Sequence, residues 1–233
     1  MATILLIHGA YQGGWIWTRV AARLRAAGHL VLAPSLDGCG ERAPLVRPGI
    51  TTESQAAELA GLLFHEDLGE VVVAGTSTGG MVMARLAELA PGRIARVVFA
   101  DALALRDGEA LPDIVARPTA VNTDLTSGPS KADAEGRLFA DLDPALRDWT
   151  LARITQQPIA TMVAPISLPR FWSEPRWREP GRAAVIWCRR SQNPPLAHQQ
   201  RARDTLGASW HELDTGHYPM LTADAELAAI IPG

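Results

Sequence analysis

Along the first hundred residues, short apolar runs alternate with longer stretches of helical spacing. Ala2–Ile7, Leu30–Ala33, Glu70–Ala74 and Arg96–Ala100 are dominated by Val, Ile, Leu and Ala. They lack the polar alternation of a half-exposed strand, so they predict strands buried on both faces. Trp15–Ala27 carries apolar residues at helical intervals and stops at Gly28, a suitable residue for a left-handed helix end. Thr52-Glu53-Ser54-Gln55 reads as a capping box opening a helix that reaches about His65. Met81–Ala90 is a third helix, stopped by Pro91. Strands joined through helices predict a parallel sheet covered on both faces. Right-handed crossovers bring the strand ends carrying Ala10, Ser77 and Asp101 to one edge.

Between Arg106 and Pro180 the pattern changes. Nine prolines interrupt this stretch and no strong strand is visible. Short helices are expected at Lys131–Ala140 and Pro144–Ile154, and the stretch is too long for a plain loop. Beyond it the alternation resumes, with Ala183–Cys188 as strand, Leu196–Leu206 as helix, Ser209–Leu213 as strand and a last helix near Ala223–Ile231. The expected fold is α/β, a mostly parallel sheet of about six strands with helices on both faces. Residues 1–105 and 181–233 form its core, and residues 106–180 form an inserted helical cap.

Within this frame the stretch Glu70–Gly80, EVVVAGTSTGG, carries the chemistry. A strand runs into Gly75-Thr76-Ser77-Thr78-Gly79, a G-x-S-x-G match, and a helix follows at once. That context makes the pattern a nucleophile elbow, with Ser77 exposed at the head of a helix. Unpaired N–H groups and the positive end of the helix dipole favour a developing oxyanion there.

Composition removes several other classes. A chain of 233 residues with net charge −3 offers no electrostatic footprint for nucleic acid. Eight arginines fall between Arg170 and Arg203 without regular aromatic interleaving, which reads as a solvated surface. The single lysine, Lys131, sits in a polar loop, which argues against a P-loop or a buried Schiff base. Cys39 and Cys188 are far apart and outside any CxxC, as expected of free thiols in a reducing compartment. No signal peptide or membrane span is recognisable, and a cytoplasmic location is expected.

Three motifs, HGAYQGGW at 8–15, GTSTGG at 75–80 and DTGHYPM at 214–220, resemble the α/β-hydrolase superfamily in sequence, order and spacing. More closely, the chain resembles the small branch containing plant methyl-ester esterases, hydroxynitrile lyases and their bacterial relatives. The resemblance implies Ser77 as nucleophile and His217 as general base, since a serine hydroxyl needs a hydrogen-bonded base to attack at neutral pH. It implies an oxyanion hole from the backbone N–H groups of Ala10 and Thr78. His8 is expected to shape the first loop, and His29, His65, His198 and His211 to fall at element ends or exposed faces.

In most relatives the acid follows the strand corresponding to Ala183–Cys188. Here that loop, Arg189-Arg190-Ser191-Gln192-Asn193-Pro194-Pro195, has no carboxylate, and Ser191 stands at the usual acid position. Asp101, at the end of the strand after the elbow helix, is the alternative acid. Asp214 is expected to cap its own turn, and Glu212 to face away. The lyases of the branch carry threonine where this chain has Gly9, and lysine where it has Tyr218.

Hydrolysis is therefore expected, of a carboxylic ester or lactone of a hydrophobic or aromatic small molecule, through an acyl-enzyme. Tyr11, Leu103, Leu125, Phe139, Trp149, Met162, Phe171 and Trp172 are the candidate pocket residues, and Trp177 adds to the aromatic content of the cap. No metal or organic cofactor is expected, and neither a nucleic-acid nor a membrane partner; a homodimer stays open. The alternative is a non-hydrolytic protein of the same fold: a cyclase, a lyase or a small-molecule binder.

Overall fold

The computed structural model describes residues 1–116 and 120–233. Pro118, one of the interrupting prolines, lies outside the described residues. Strands β1 (Thr3–Ile7), β2 (Leu30–Leu32), β3 (Val71–Ser77) and β4 (Ile94–Ala102) occupy the first half of the chain. Three short strands follow, β5 (Ala120–Asn122), β6 (Thr126–Pro129) and β7 (Gln157–Pro158), and then β8 (Ala183–Cys188) and β9 (Ser209–Leu213). Six of these form one sheet in the order β2-β1-β3-β4-β8-β9, with every pair parallel. The chain leaves β1 in one direction for β2 and then crosses to β3 on the other side. That reversal opens a crevice between the C-terminal ends of β1 and β3, where open α/β sheets hold their ligands.

The apolar strands are buried on both faces because their alternate residues feed two cores. Leu5, Ile7, Val71, Val73, Val97, Phe99 and Val185 join one cluster; Ile4, Leu6, Val72, Ala74, Val98, Ala100 and Ile186 join the other. Helices α2 (Thr52–His65) and α3 (Gly79–Leu89) cover the first face, and α1 (Thr18–Ala26) the second. At about 1.5–3 kcal/mol for each fully buried large aliphatic side chain, these two layers dominate the stability of the sheet. Helix α2 is capped one residue earlier than the sequence suggests. The Thr51 hydroxyl accepts from Ser54 N–H, and Ser54 Oγ accepts from Thr51 N–H.

The segment between β4 and β8 carries α4 (Pro144–Leu151) and several single-turn helices, but it is not purely helical. β5, β6 and β7 form a small antiparallel sheet. The predicted helix at Lys131–Ala140 is one α-turn, Lys131–Asp133, continued by a π-turn, Ala134–Leu138. Beyond β8 the chain forms α5 (Leu196–Leu206) and α6 (Asp224–Ile230), with a short turn of helix at Pro219–Thr222 before α6. Among the described residues no helix is long and apolar enough to cross a membrane.

Candidate active site

Ser77 ends β3 with φ +50°, a left-handed conformation that side-chain-bearing residues rarely adopt. The turn is possible because Gly75 and Gly79, two residues to either side, lack side chains. A Cβ on Gly79 would lie 2.5 Å from the Ile7 carbonyl oxygen and 2.6 Å from that of His8. The start of α3 therefore presses directly onto the end of β1. Thr78 caps this helix, and its N–H is among the first-turn donors that have no partner within the helix.

Asp101 lies in a break of register. Thr76 pairs with Ala100, but Ser77 pairs with Ala102, so Asp101 is the extra residue of a β-bulge. Its φ is +47° and it is fully buried. A bulge re-aims a side chain, and this one brings Asp101 Oδ2 to 2.6 Å from His217 Nδ1. The other carboxylate oxygen accepts from Gln199 Nε2 at 3.2 Å. Leu103 N–H donates to the Ser77 carbonyl at 2.8 Å, tying the two strand ends together.

His217 follows β9 in the turn before Pro219–Thr222. With Nδ1–H donated to a carboxylate, Nε2 is the basic nitrogen of the neutral ring. Ser191 Oγ also approaches Nδ1, but at 3.5 Å, and its own hydroxyl donates to the Asn193 carbonyl. Asp214 is exposed and lies 3.6 Å from both Arg189 and Arg190; Glu212 is exposed and accepts from Trp210 Nε1.

The loop after β1 is organised by His8. Leu36 N–H donates to His8 Nε2 at 2.9 Å, which leaves Nδ1 to carry the proton given to the Gly9 carbonyl at 2.8 Å. Burial lowers the pKa of His8 to about 4, so the ring is neutral at pH 7. The Gly9 carbonyl and the Ala10 N–H share one planar trans peptide and point in opposite directions. Fixing the first therefore aims the second. A Cβ on Gly9 would lie 2.6 Å from Ser77 Cβ, so a threonine there requires the loop or the serine to shift.

Ser77, Thr78, Ala10 and His217 all line one cavity of about 440 Å³. Of the predicted pocket residues, Tyr11, Leu103 and Met162 line it as well. Five others sit elsewhere. Phe139 packs on Tyr218 within the second core, and Trp149 meets Trp15 edge to face against it. Phe171 and Trp172 pack on Phe99 in the first core, beside the buried Trp177. Leu125 is half-buried, and its carbonyl accepts from Ile159 N–H. The aromatic side chains of this segment anchor it to the sheet. Leu111, Val115 and Leu138 supply the apolar wall in their place, with Asp133, Arg137, Asp141 and Arg190 on the polar side.

His198, expected at an element end or on an exposed face, does lie in the first turn of a helix but is not exposed. It is buried in α5, where its Nε2 accepts from Ala104 N–H at 2.8 Å. Gln199, Gln157 and Gln12 were not foreseen either, because an isolated glutamine carries no pattern. Gln12 Oε1 accepts from Gly9 N–H at 3.1 Å.

A parallel sheet of this order, with a serine turn after its central strand and a histidine–aspartate pair at the same edge, defines the α/β-hydrolase class. A sequence profile described as the alpha/beta hydrolase family matches residues 4–230, and the chain belongs to that family. It is 34% identical over 179 residues to a carbendazim hydrolyzing esterase from Nocardioides sp. (strain SG-4G), covering 72% of this chain and 74% of that protein. It is 25% identical to methylesterase 7 of Arabidopsis thaliana, covering 97% and 94%. An extracellular alpha/beta-hydrolase from a Paenibacillus species, reported to share structural and functional homology with tobacco salicylic acid binding protein 2, has the same fold. The TM-score is 0.80 at 20% identity, over 99% of this chain and 97% of that one.

Proposed function

We propose that the protein is a serine hydrolase of carboxylic esters or lactones of small hydrophobic molecules. The observation that carries the reading is the 2.6 Å contact between His217 Nδ1 and the buried Asp101 carboxylate, with the imidazole on the same cavity as Ser77. The esterase names of the relatives support the reaction class.

In this mechanism His217 Nε2 takes the Ser77 proton as Oγ attacks the ester carbonyl. The backbone N–H groups of Ala10 and Thr78 receive the oxyanion, an arrangement commonly worth 10²–10³-fold per donor, about 3–4 kcal/mol. As the intermediate collapses, the C–O bond to the alcohol breaks and the imidazolium protonates the leaving oxygen. Water then attacks the acyl-enzyme, gives its proton to His217 and releases the acid and Ser77. Asp101 holds the tautomer and stabilises the imidazolium. The segment between β4 and β8 serves as a cap whose apolar wall at Leu103, Leu111, Val115 and Met162 receives the acyl group. The absence of a carboxylate at position 191 speaks for the non-hydrolytic alternative; in this reading Asp101 supplies that group from β4.

The test is hydrolysis of short p-nitrophenyl esters by the wild type and by Ser77→Ala. Turnover lost in the variant is the expected result; equal turnover in both would overturn the proposal.

A further inference from the structure

Tyr11 is held from outside the sheet. Its N–H donates to Gln157 Oε1 at 3.3 Å, and its carbonyl accepts from Thr155 N–H at 2.9 Å. Both partners belong to the segment between β4 and β8. Gln157 lies in β7 and is 2% exposed. Its oxygen also accepts from the Cys39 thiol at 3.4 Å, and its nitrogen donates to Thr161 Oγ1 at 3.0 Å. Burial pushes the Cys39 thiol up to about 12, so the sulfur keeps its proton at pH 7 and remains a donor. Two donors on the oxygen and one acceptor on the nitrogen fix which way the amide points.

The residue being held needs holding. Tyr11 has φ +68°, a conformation that costs about 1 kcal/mol or more and persists only where its surroundings impose it. It also follows Ala10 directly. The peptide plane before Ala10 is fixed by His8 through the Gly9 carbonyl. The plane after it, Ala10–Tyr11, is fixed by Gln157 through the Tyr11 N–H. With both flanking planes set, the Ala10 N–H keeps one direction.

We propose that Gln157 is a positioning residue for the oxyanion site, acting through the Ala10–Tyr11 peptide. Docking of the inserted segment thereby completes the catalytic loop as well as enclosing the substrate. This rests on the ester-hydrolase reading above.

The experiment compares Gln157→Met, which keeps the size and removes the acceptor, with Gln157→Glu, which keeps an acceptor oxygen at that place. The probes are p-nitrophenyl acetate, phenylboronic acid, which forms a tetrahedral adduct on a reactive serine, and planar benzamide. In Gln157→Met, kcat/KM falls about tenfold or more and boronate affinity falls in step, while benzamide affinity stays within about twofold. Gln157→Glu recovers most of the loss. Thr161→Val, which removes the acceptor of the Gln157 amide nitrogen, shows the same pattern to a smaller degree and provides the measurement if Gln157→Met does not fold. Unchanged boronate affinity in folded Gln157→Met, or an equal weakening of both inhibitors, overturns this inference while leaving the serine hydrolase intact. Ester turnover that survives Ser77→Ala overturns both.

Discussion

The C-terminal ends of β4 and β8 lie side by side in the sheet, and both reach His217 Nδ1 on different terms. From β4 comes Asp101, fully buried in a bulge, 2.6 Å from the ring nitrogen and held on its other oxygen by Gln199. From β8 comes Ser191, half-buried, 3.5 Å away, with its hydroxyl given to Asn193. A charge-assisted hydrogen bond at short range is roughly twice as strong as a neutral one, and a 3.5 Å contact is at the edge of being a bond at all. A buried carboxylate is tolerable only where its oxygens are hydrogen-bonded, and that condition is met on β4. The contrast teaches that the partner of His217 is decided by which strand end supplies a re-aimed, hydrogen-bonded group. Chain position relative to the histidine does not decide it.

The most damaging attack on the β4 side is Asp101→Asn, which preserves shape and removes the charge. We expect kcat toward p-nitrophenyl acetate to fall about 10³-fold or more, as loss of the acid does in other serine triads. A fall of only a few-fold in folded protein would mean that the β8 side already serves the histidine, and the comparison would collapse.

A gain-of-function variant sharpens the same contrast. Ser191→Asp introduced into Asp101→Asn puts a carboxylate one atom further out from the backbone than the serine oxygen now 3.5 Å from Nδ1. We expect kcat to recover about 10- to 100-fold over the single variant, short of the wild type, because an exposed loop holds its side chain less firmly than a bulge. No recovery, measured on the same ester, would mean that the β8 loop cannot present an acid to this ring.

The unequal legibility of the two strand ends follows from the same physics. β1, β3, β4 and β8 were readable because continuous apolar runs reflect burial on both faces. Asp101 could be named as an acid at a strand end, but no residue type announces the bulge that aims it. Gln199 meets Asp101, and Gln157 meets Tyr11, through hydrogen bonds formed across 98 and 146 positions of chain, so nothing local marks them. The small sheet of AVN, TSGP and QP is too short and polar to show a period of two. Aromatic content suggests pocket lining, whereas Phe171, Trp172, Phe139 and Trp149 pack against the sheet domain and anchor the segment. Composition records that such side chains are present; only packing decides which way they face.

The β4 side is also the one braced by a neutral histidine, which gives it a pH limit. His198 supports Ala104 from α5, with its pKa lowered to about 4 by burial and by Arg201, against a smaller opposing pull from Glu109. His8, lowered to about 4 by burial, sits in the same condition beneath the first loop, with Glu41 pulling weakly the other way. Both folded-state values lie below the unfolded value near 6.5, so between about pH 6.5 and 4 the unfolded chain binds more protons. Their contribution is complete above pH 6.5 and is lost as pH falls toward 4, by about 2 kcal/mol for each histidine at pH 5. Urea midpoints measured from pH 7.5 to 5 should fall accordingly, and His198→Gln should flatten the slope. A midpoint that does not move over this range would refute the neutral, buried assignment of both rings.

The smallest expected effect bears most directly on the β8 side. Ser191→Ala removes the only side-chain group in the 189–195 loop shown in contact with Nδ1. Because Nδ1 has one proton and gives it to Asp101 at 2.6 Å, the hydroxyl has no bond of consequence to the ring, and what the variant loses is its bond to the Asn193 carbonyl. We expect kcat/KM within about threefold of the wild type and an unchanged acid limb in the pH–rate profile. A larger loss, or a shifted limb, would mean that Ser191 polarises the imidazole alongside Asp101. The two strand ends would then act as one divided partner, and Asp101→Asn and Ser191→Ala would show a strong coupling in a double-mutant cycle where independent sites would simply add.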